Sequence, residues 1–214
     1  MTPTNLSLCV PKVHRGSKTR LPRHLSPQHV EVILDWVRRK SRHSKRDYAM
    51  FMLMARLGLR VPEVIAIRLD DIDWRTGELL VRGKGNRHDR IPIPMDVGDA
   101  ISRYLREDRP PTTTRILFVR ARAPHHGFRD SRIVNKTLAR AYAATGVEAP
   151  ARYLGSHVLR HSLATRMVRA GVSLEEVGDL LRHRSRATTM IYAKLDIEGL
   201  RSVAHSWPVT EGRS

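Results

Sequence analysis

The stretch SHVLRHSLATRMV, residues 156–168, carries two imidazoles and a guanidinium within five positions. On a helix, His157, Arg160, His161 and Ala164 share one stripe, because residues three and four apart are neighbours. Leu159, Leu163 and Met167 form the adjoining apolar stripe that would face a core. An imidazole changes charge near neutral pH, and a guanidinium grips an oxyanion through parallel donors. Placed beside a buried face, such groups form a rigid wall against which an anion can be held.

Three other segments offer comparable chemistry. LGLRVPEV puts Arg60 just after the Gly that would end a buried helix, with Glu63 three residues later. In isolation a surface ion pair between them is the simpler reading. A semi-buried Arg oriented by a carboxylate is also a good rigid donor to phosphate. RGKGNRHDR offers Lys84 in a Gly-flanked basic turn. It lacks the spacing and following helix of a phosphate-binding loop, which leaves an exposed hairpin charge or a cation delivered into a DNA groove to meet a base edge or donate a proton. LLRHRSRATTMIY contributes His183 and, nine residues on, Tyr192. Alone, such a His is a satisfied polar residue and such a Tyr is filler. Neither an H-E-x-x-H pattern nor a cysteine cluster supports zinc. The one dense acidic run, Asp70, Asp71 and Asp73 in RLDDIDW, reads as turn chemistry, which disfavours a two-metal nuclease.

The elements that would position these groups can be read from caps and periodicity. Ser26 followed by Pro27 starts a helix running to about Lys40, with Val30, Ile33, Leu34 and Val37 inward. KRDYAMFMLMARLG is apolar nearly all round, predicts a buried helix, and can close at Gly58. GELLVRGKGNRHDRIPIP predicts a β-hairpin with Lys84 at its tip. An added strand around Ile67 to Ile72 would complete a small antiparallel sheet. Helices follow at about Met95 to Glu107, Asp130 to Ala144, His157 to Ala170, and Ser173 to Leu181, the last with Ser173 and Glu176 as a capping box. Short segments near Thr188 and from Ile197 to His205 would close the chain. No repeat of solenoid length is visible.

Charge narrows the partner. The 214 residues hold 39 Lys and Arg against 21 acids, a formal net charge of +18, with a sequence pI near 11.2. Such a field favours a polyanion, nucleic acid by default, and no hydrophobic span argues for a membrane. Thirty-two of the basic residues are Arg; that suits bidentate phosphate contacts but fits coding bias equally well. The single Cys9 rules out a disulfide framework within one chain. The first residues lack the apolar core of a secretion signal, so a cytosolic protein is expected. Residues 1–25 mix Pro, Ser, Gly and basic side chains, and read as a flexible basic arm. A domain over residues 26–205 and a tail over residues 206–214 complete the expected organisation.

In order, spacing and local sequence, Arg60, Lys84, His157-x-x-Arg160, His183 and Tyr192 resemble the tyrosine recombinase (phage integrase) family. GLRVPE, GKGNRHDRIPIP, HVLRHSLATRMVRAG and LLRHRSRATTMIY carry the likeness. It implies the mainly α catalytic-domain fold with a small antiparallel β-sheet found in these DNA breaking and rejoining enzymes. In such enzymes a tyrosine, here Tyr192, attacks a DNA phosphodiester to give a 3′-phosphotyrosyl link and a free 5′-hydroxyl. A partner strand's 5′-hydroxyl then reverses the step, without metal, ATP or other cofactor. The resemblance gives Arg60 and Arg160 the non-bridging oxygens, His157 assistance in deprotonating the tyrosine, Lys84 the protonation of the leaving oxygen, and His183 a hydrogen bond to the phosphate. Glu63 becomes a support behind Arg60, and His161 a packing or backbone group. The hairpin arginines Arg82, Arg87 and Arg90 are the expected DNA contacts.

Three departures accompany the likeness. Arg182 stands where the family often has Gly, and Pro62 where it has a small residue. The N-terminal domain that clamps DNA in typical members has no counterpart in residues 1–25, although short invertases lack it too. The implied partners are double-stranded DNA and further copies of the chain, a tetramer on DNA, with other recombinases possible. Leu200 and Val203 in the tail resemble the segment that members dock into a neighbour. The implied location is the bacterial cytoplasm, at the nucleoid. Two rival readings are a truncated, non-catalytic DNA-binding remnant and a type IB topoisomerase.

Overall fold

The computed structural model describes residues 24–83, 88–149, 157–183 and 186–193. Helix α1 (Pro27–Lys40) starts where the Ser26 hydroxyl accepts the His29 amide at 3.1 Å. Its buried face is Val30, Ile33, Leu34 and Val37. Helix α2 (Ser44–Leu57) is buried almost all round and lies at the centre of the main core. It ends at Gly58 in the left-handed region, φ 62°, and the Leu59 amide reaches back to the Leu53 carbonyl at 3.3 Å. That closure suits glycine, which has no Cβ to oppose a positive φ.

A six-residue helix, α3 (Val61–Ala66), follows directly. Six residues are too few to show a helical period, so the sequence carries no signal for this helix. The strand expected around Ile67 to Ile72 is corrected. Residues Leu69–Asp71 form a 3₁₀ turn, and β1 is only Ile72–Asp73. The cause is a distant partner. The Leu69 amide bonds the Arg115 carbonyl and the Leu117 amide bonds the Ile67 carbonyl, both at 2.8 Å, so this stretch is engaged away from the hairpin. The Asp71 carboxylate then accepts the Arg68 amide and tightens the turn.

Strands β2 (Glu78–Arg82) and β3 (His88–Pro92) pair antiparallel, with Leu79 opposite Ile91 and Val81 opposite Asp89. With β1 they give a three-stranded sheet in the order β1-β2-β3. Leu79 and Val81 face the core. Helix α4 (Met95–Glu107) buries Val97, Ala100, Ile101 and Tyr104, and the Tyr104 hydroxyl accepts the Val119 amide at 3.2 Å. Helix α5 (Arg132–Thr145) starts two residues later than expected and stops at Gly146.

The C-terminal part is built from α6 (His157–Arg169), α7 (Leu174–Leu180) and α8 (Arg186–Met190). Ser173 and Glu176 form the reciprocal capping box expected for α7. Leu163, Ala164, Val168, Val177, Leu181 and Tyr192 make a second, smaller core, while Val158 and Leu159 at the start of α6 belong to the main one. Helix α6 is therefore the wall shared by both cores. No helix among the described residues is long and apolar enough to cross a membrane.

Candidate active site

Arg160 sits at the junction of the two cores, 4% exposed. Its guanidinium donates to two backbone carbonyls, those of Gly58 after α2 and Leu181 after α7. These bonds hold the fork against two ends of the fold at once. Burial, then Arg60, lowers its pKa to about 10, so it stays cationic at neutral pH.

Gly58 makes room for this arrangement. A Cβ there would lie 2.5 Å from Cδ2 of the fully buried Leu181 and 3.2 Å from Leu163. The same residue that lets the chain turn left-handed therefore lets the α7 end approach α2.

Arg60 lies at the mouth of α3, its side chain one-third exposed. Glu63 accepts the Arg60 backbone amide at 2.7 Å and its guanidinium at 2.9 Å. Glu63 also accepts Arg182 at 3.1 Å. Although burial pushes the Glu63 carboxyl up, the Arg60 amide and the two guanidinium groups outweigh it and hold it below the usual range. Arg182, at φ 52°, occupies the left-handed position that closes α7, where a side chain is disfavoured. Its ion pair is nearly buried, so the contact with Glu63 offsets the backbone cost and ties the turn before His183 to the Arg60 segment.

His183 follows that turn. Its Nδ1 meets the Thr189 hydroxyl at 2.7 Å, and Gly178 permits the approach, since a Cβ there would lie 3.0 Å from the Thr189 hydroxyl. Burial, then Arg160 and Arg60, pushes the His183 pKa down to about 4. The cleft in front, about 740 Å³, is lined by Arg60, Glu63, Arg82, Arg182 and His183 among others. His157 is exposed on the first turn of α6, within reach of the charges of Arg160 and Arg60.

Tyr192 is 1% exposed, within the smaller core. Burial pushes its hydroxyl up to about 12, against the pull of Arg160. The hydroxyl bonds Nδ1 of His161. His161 thus differs from the packing role expected for it: it is the imidazole in contact with the tyrosine, its ring centre 5.9 Å from that of Tyr192 and 6.4 Å from that of His157. The stripe His157, His161, Ala164 was the available signal; which imidazole meets a residue 31 positions later was not in it.

Of the other expected site residues, Arg82 pairs with Asp71 at 2.6 Å and Arg90 with Glu78 at 3.5 Å, both substantially exposed. Lys84 and Arg87 lie outside the described residues, as do Leu200 and Val203. The acidic run is dispersed: Asp70 pairs with Arg115, Asp71 with Arg82, and Asp73 accepts the Arg75 and Thr76 amides as turn chemistry requires.

The two histidines depressed furthest, His161 and His183, set a pH dependence of stability. In the fold His161 and His183 resist protonation until about pH 4, against 6.5 ordinarily. The unfolded chain therefore takes up protons first, and stability is full above about pH 6.5 and declines as pH falls towards 4. Unfolding at pH 5 should take up about two protons through this pair. Calorimetry in buffers of different ionisation enthalpy measures that uptake; a Tm unchanged between pH 7 and 5 would contradict it.

Residues 23–198 match the phage integrase family. The chain is 42% identical over 205 residues to an integrase/recombinase of Sinorhizobium fredii, y4rA, covering 96% of this chain and 49% of that one. It is 37% identical over 165 residues to the tyrosine recombinase XerD of Lacticaseibacillus casei, covering 75% and 54%. It thus spans about half the length of these curated relatives. Among solved structures, the crystal structure of XerA recombinase superposes with a TM-score of 0.69 at 26% identity, over 92% of this chain and 66% of that one.

Proposed function

The chain belongs to the phage integrase family of tyrosine recombinases, and on that premise we propose that it is a site-specific DNA recombinase that cleaves and rejoins strands through a 3′-phosphotyrosyl link. Tyr192 is the nucleophile. Its oxygen bonds the phosphorus as the bond to the 5′ oxygen breaks, and a partner strand's 5′-hydroxyl reverses the exchange. The link conserves the phosphoester, so neither ATP nor metal enters the balance.

Arg60 and Arg160 stabilise the extra charge of the pentacoordinate phosphorus, and His183 donates to the same oxygens. Lys84 protonates the leaving oxygen, Glu63 fixes Arg60, and Arg82, Arg87 and Arg90 hold the duplex. Residues 26–205 are the catalytic domain, behind a basic arm at residues 1–25 and before a tail at residues 206–214. Double-stranded DNA is the partner, the working form is a tetramer on it, and the site of action is the nucleoid. The observation that carries the reading is the field of Arg160, which reaches Tyr192, His161 and His183 and overlaps at His183 with that of Arg60.

A non-catalytic remnant is disfavoured because buried Arg160 and Tyr192 sit in one electrostatic neighbourhood instead of facing separate surfaces. The test uses nicked duplexes tiling the DNA that flanks the chain's own gene, with EDTA present. A covalent protein–DNA band whose peptide map places a 3′-phosphate on Tyr192 is expected. Retention of duplexes without any such band would overturn strand cleavage and leave DNA binding alone.

A further inference from the structure

We propose that His161 holds the Tyr192 hydroxyl for attack and takes its proton, a role that rests on the recombinase reading above and that the family resemblance gives to His157. The first reason is contact. The tyrosine oxygen bonds Nδ1 of His161, while His157 stands one helical turn away, its ring centre 6.4 Å from that of His161. The second is access. With Tyr192 1% exposed, solvent does not reach the phenol freely, so the first acceptor of its proton is a protein group, and among the described residues His161 is the group in hydrogen-bond range.

The third reason is protonation state. His161 is pushed down to about 4, by burial first and then by His157, Arg160 and His24. It is therefore neutral at pH 7, and in the proposed role its Nδ1 accepts the phenol proton's hydrogen bond while the ring proton sits on Nε2. Against a phenol held at about 12, the proton stays on Tyr192 while the site is empty. A phosphodiester beside Arg60 and Arg160 cancels part of the cationic field on His161 and raises its proton affinity. Cleavage is thereby coupled to occupancy. In the step, the Tyr192 oxygen bonds phosphorus, its proton moves to His161 Nδ1, and the 5′ oxygen departs with its electron pair to be protonated from Lys84.

The test measures single-turnover adduct formation on the nicked duplexes for the parent, His161→Ala and His157→Ala. Each is prepared with tyrosine or with 2,3,5-trifluorotyrosine, a far more acidic phenol, at position 192. His161→Ala should lose about a hundredfold in rate while retaining duplex binding, and the acidic phenol should recover most of that loss. It should not recover His157→Ala. A His161→Ala rate within threefold of the parent, or recovery confined to His157→Ala, overturns the inference while the recombinase reading stands. A parent chain inert on every duplex overturns both. A DNA-free measurement addresses folding and contact together. In the full chain, Tyr192→Phe should move the ¹⁵N shift of His161 Nδ1 and leave that of His183 in place. An unmoved His161 shift would remove the basis of the proposal.

Discussion

Arg160→Lys should cut the single-turnover rate of strand cleavage by about a hundredfold or more, equivalent to roughly 3 kcal/mol of barrier, while duplex affinity changes little. Arg160 already spends two donors on the carbonyls of Gly58 and Leu181. A guanidinium has five donors in a fixed plane, so three remain for a phosphate while the fork is held. A single ammonium cannot span two carbonyls and present a second face in the same plane. Burial that brings Arg160 down to about 10 would bring a lysine closer to neutrality still, since its ordinary pKa is about two units lower. Because the lost contact strengthens as charge develops on phosphorus, the effect falls on rate and not on binding. Rapid-quench cleavage with a parallel retention assay separates the two; a rate within threefold of the parent would show that Arg160 is a structural clamp only.

What was legible in the sequence follows the range of the interactions involved. The start of α1 could be read because Ser26 and Pro27 act on the next three residues. The hairpin could be read because a Gly-rich turn separates two apolar runs, and α2 because its burial is so complete that period hardly matters. By contrast, β1 shifted because residues 67–69 pair with a segment nearly fifty positions away. In the site, the ordered set that resembles the family marked Arg60, Arg160 and Tyr192, but not the partners that hold each of them. The Arg182 to Glu63 pair spans 119 positions, and the partners of Arg160 are backbone carbonyls, which have no sequence signature. The left-handed backbone at Arg182 explains why a Gly suits that position, and its buried ion pair explains how an Arg can stand there.

The frame behind the site depends on a second buried charge pair, and Asp47→Ala should destabilise the fold by about 3–5 kcal/mol, lowering Tm by roughly 10 °C. Asp47 and Arg46, at the start of α2, are both nearly inaccessible. One Asp47 oxygen takes the Nε and a terminal nitrogen of Arg46 at 3.0 and 2.7 Å. The other accepts the hydroxyls of Ser41, before α2, and Thr137, on α5. Arg46 also lies 5.1 Å from the centre of the Phe128 ring and reaches the Val119 carbonyl. Removing the carboxylate leaves a guanidinium in the core with a ring and one carbonyl, far short of the solvation it had in water. The cost is that of the stranded charge rather than of a missing contact, so removing the charge as well should restore part of the loss. Arg46→Met keeps an apolar stem and a sulfur against Phe128. The double variant Arg46→Met, Asp47→Ala should therefore be more stable than Asp47→Ala alone, with a coupling above about 1 kcal/mol in a double-mutant cycle. Urea unfolding of the parent, both single variants and the double variant gives that coupling; additive losses would mean that the pair is solvated in the folded chain and that packing alone holds α2 to α5.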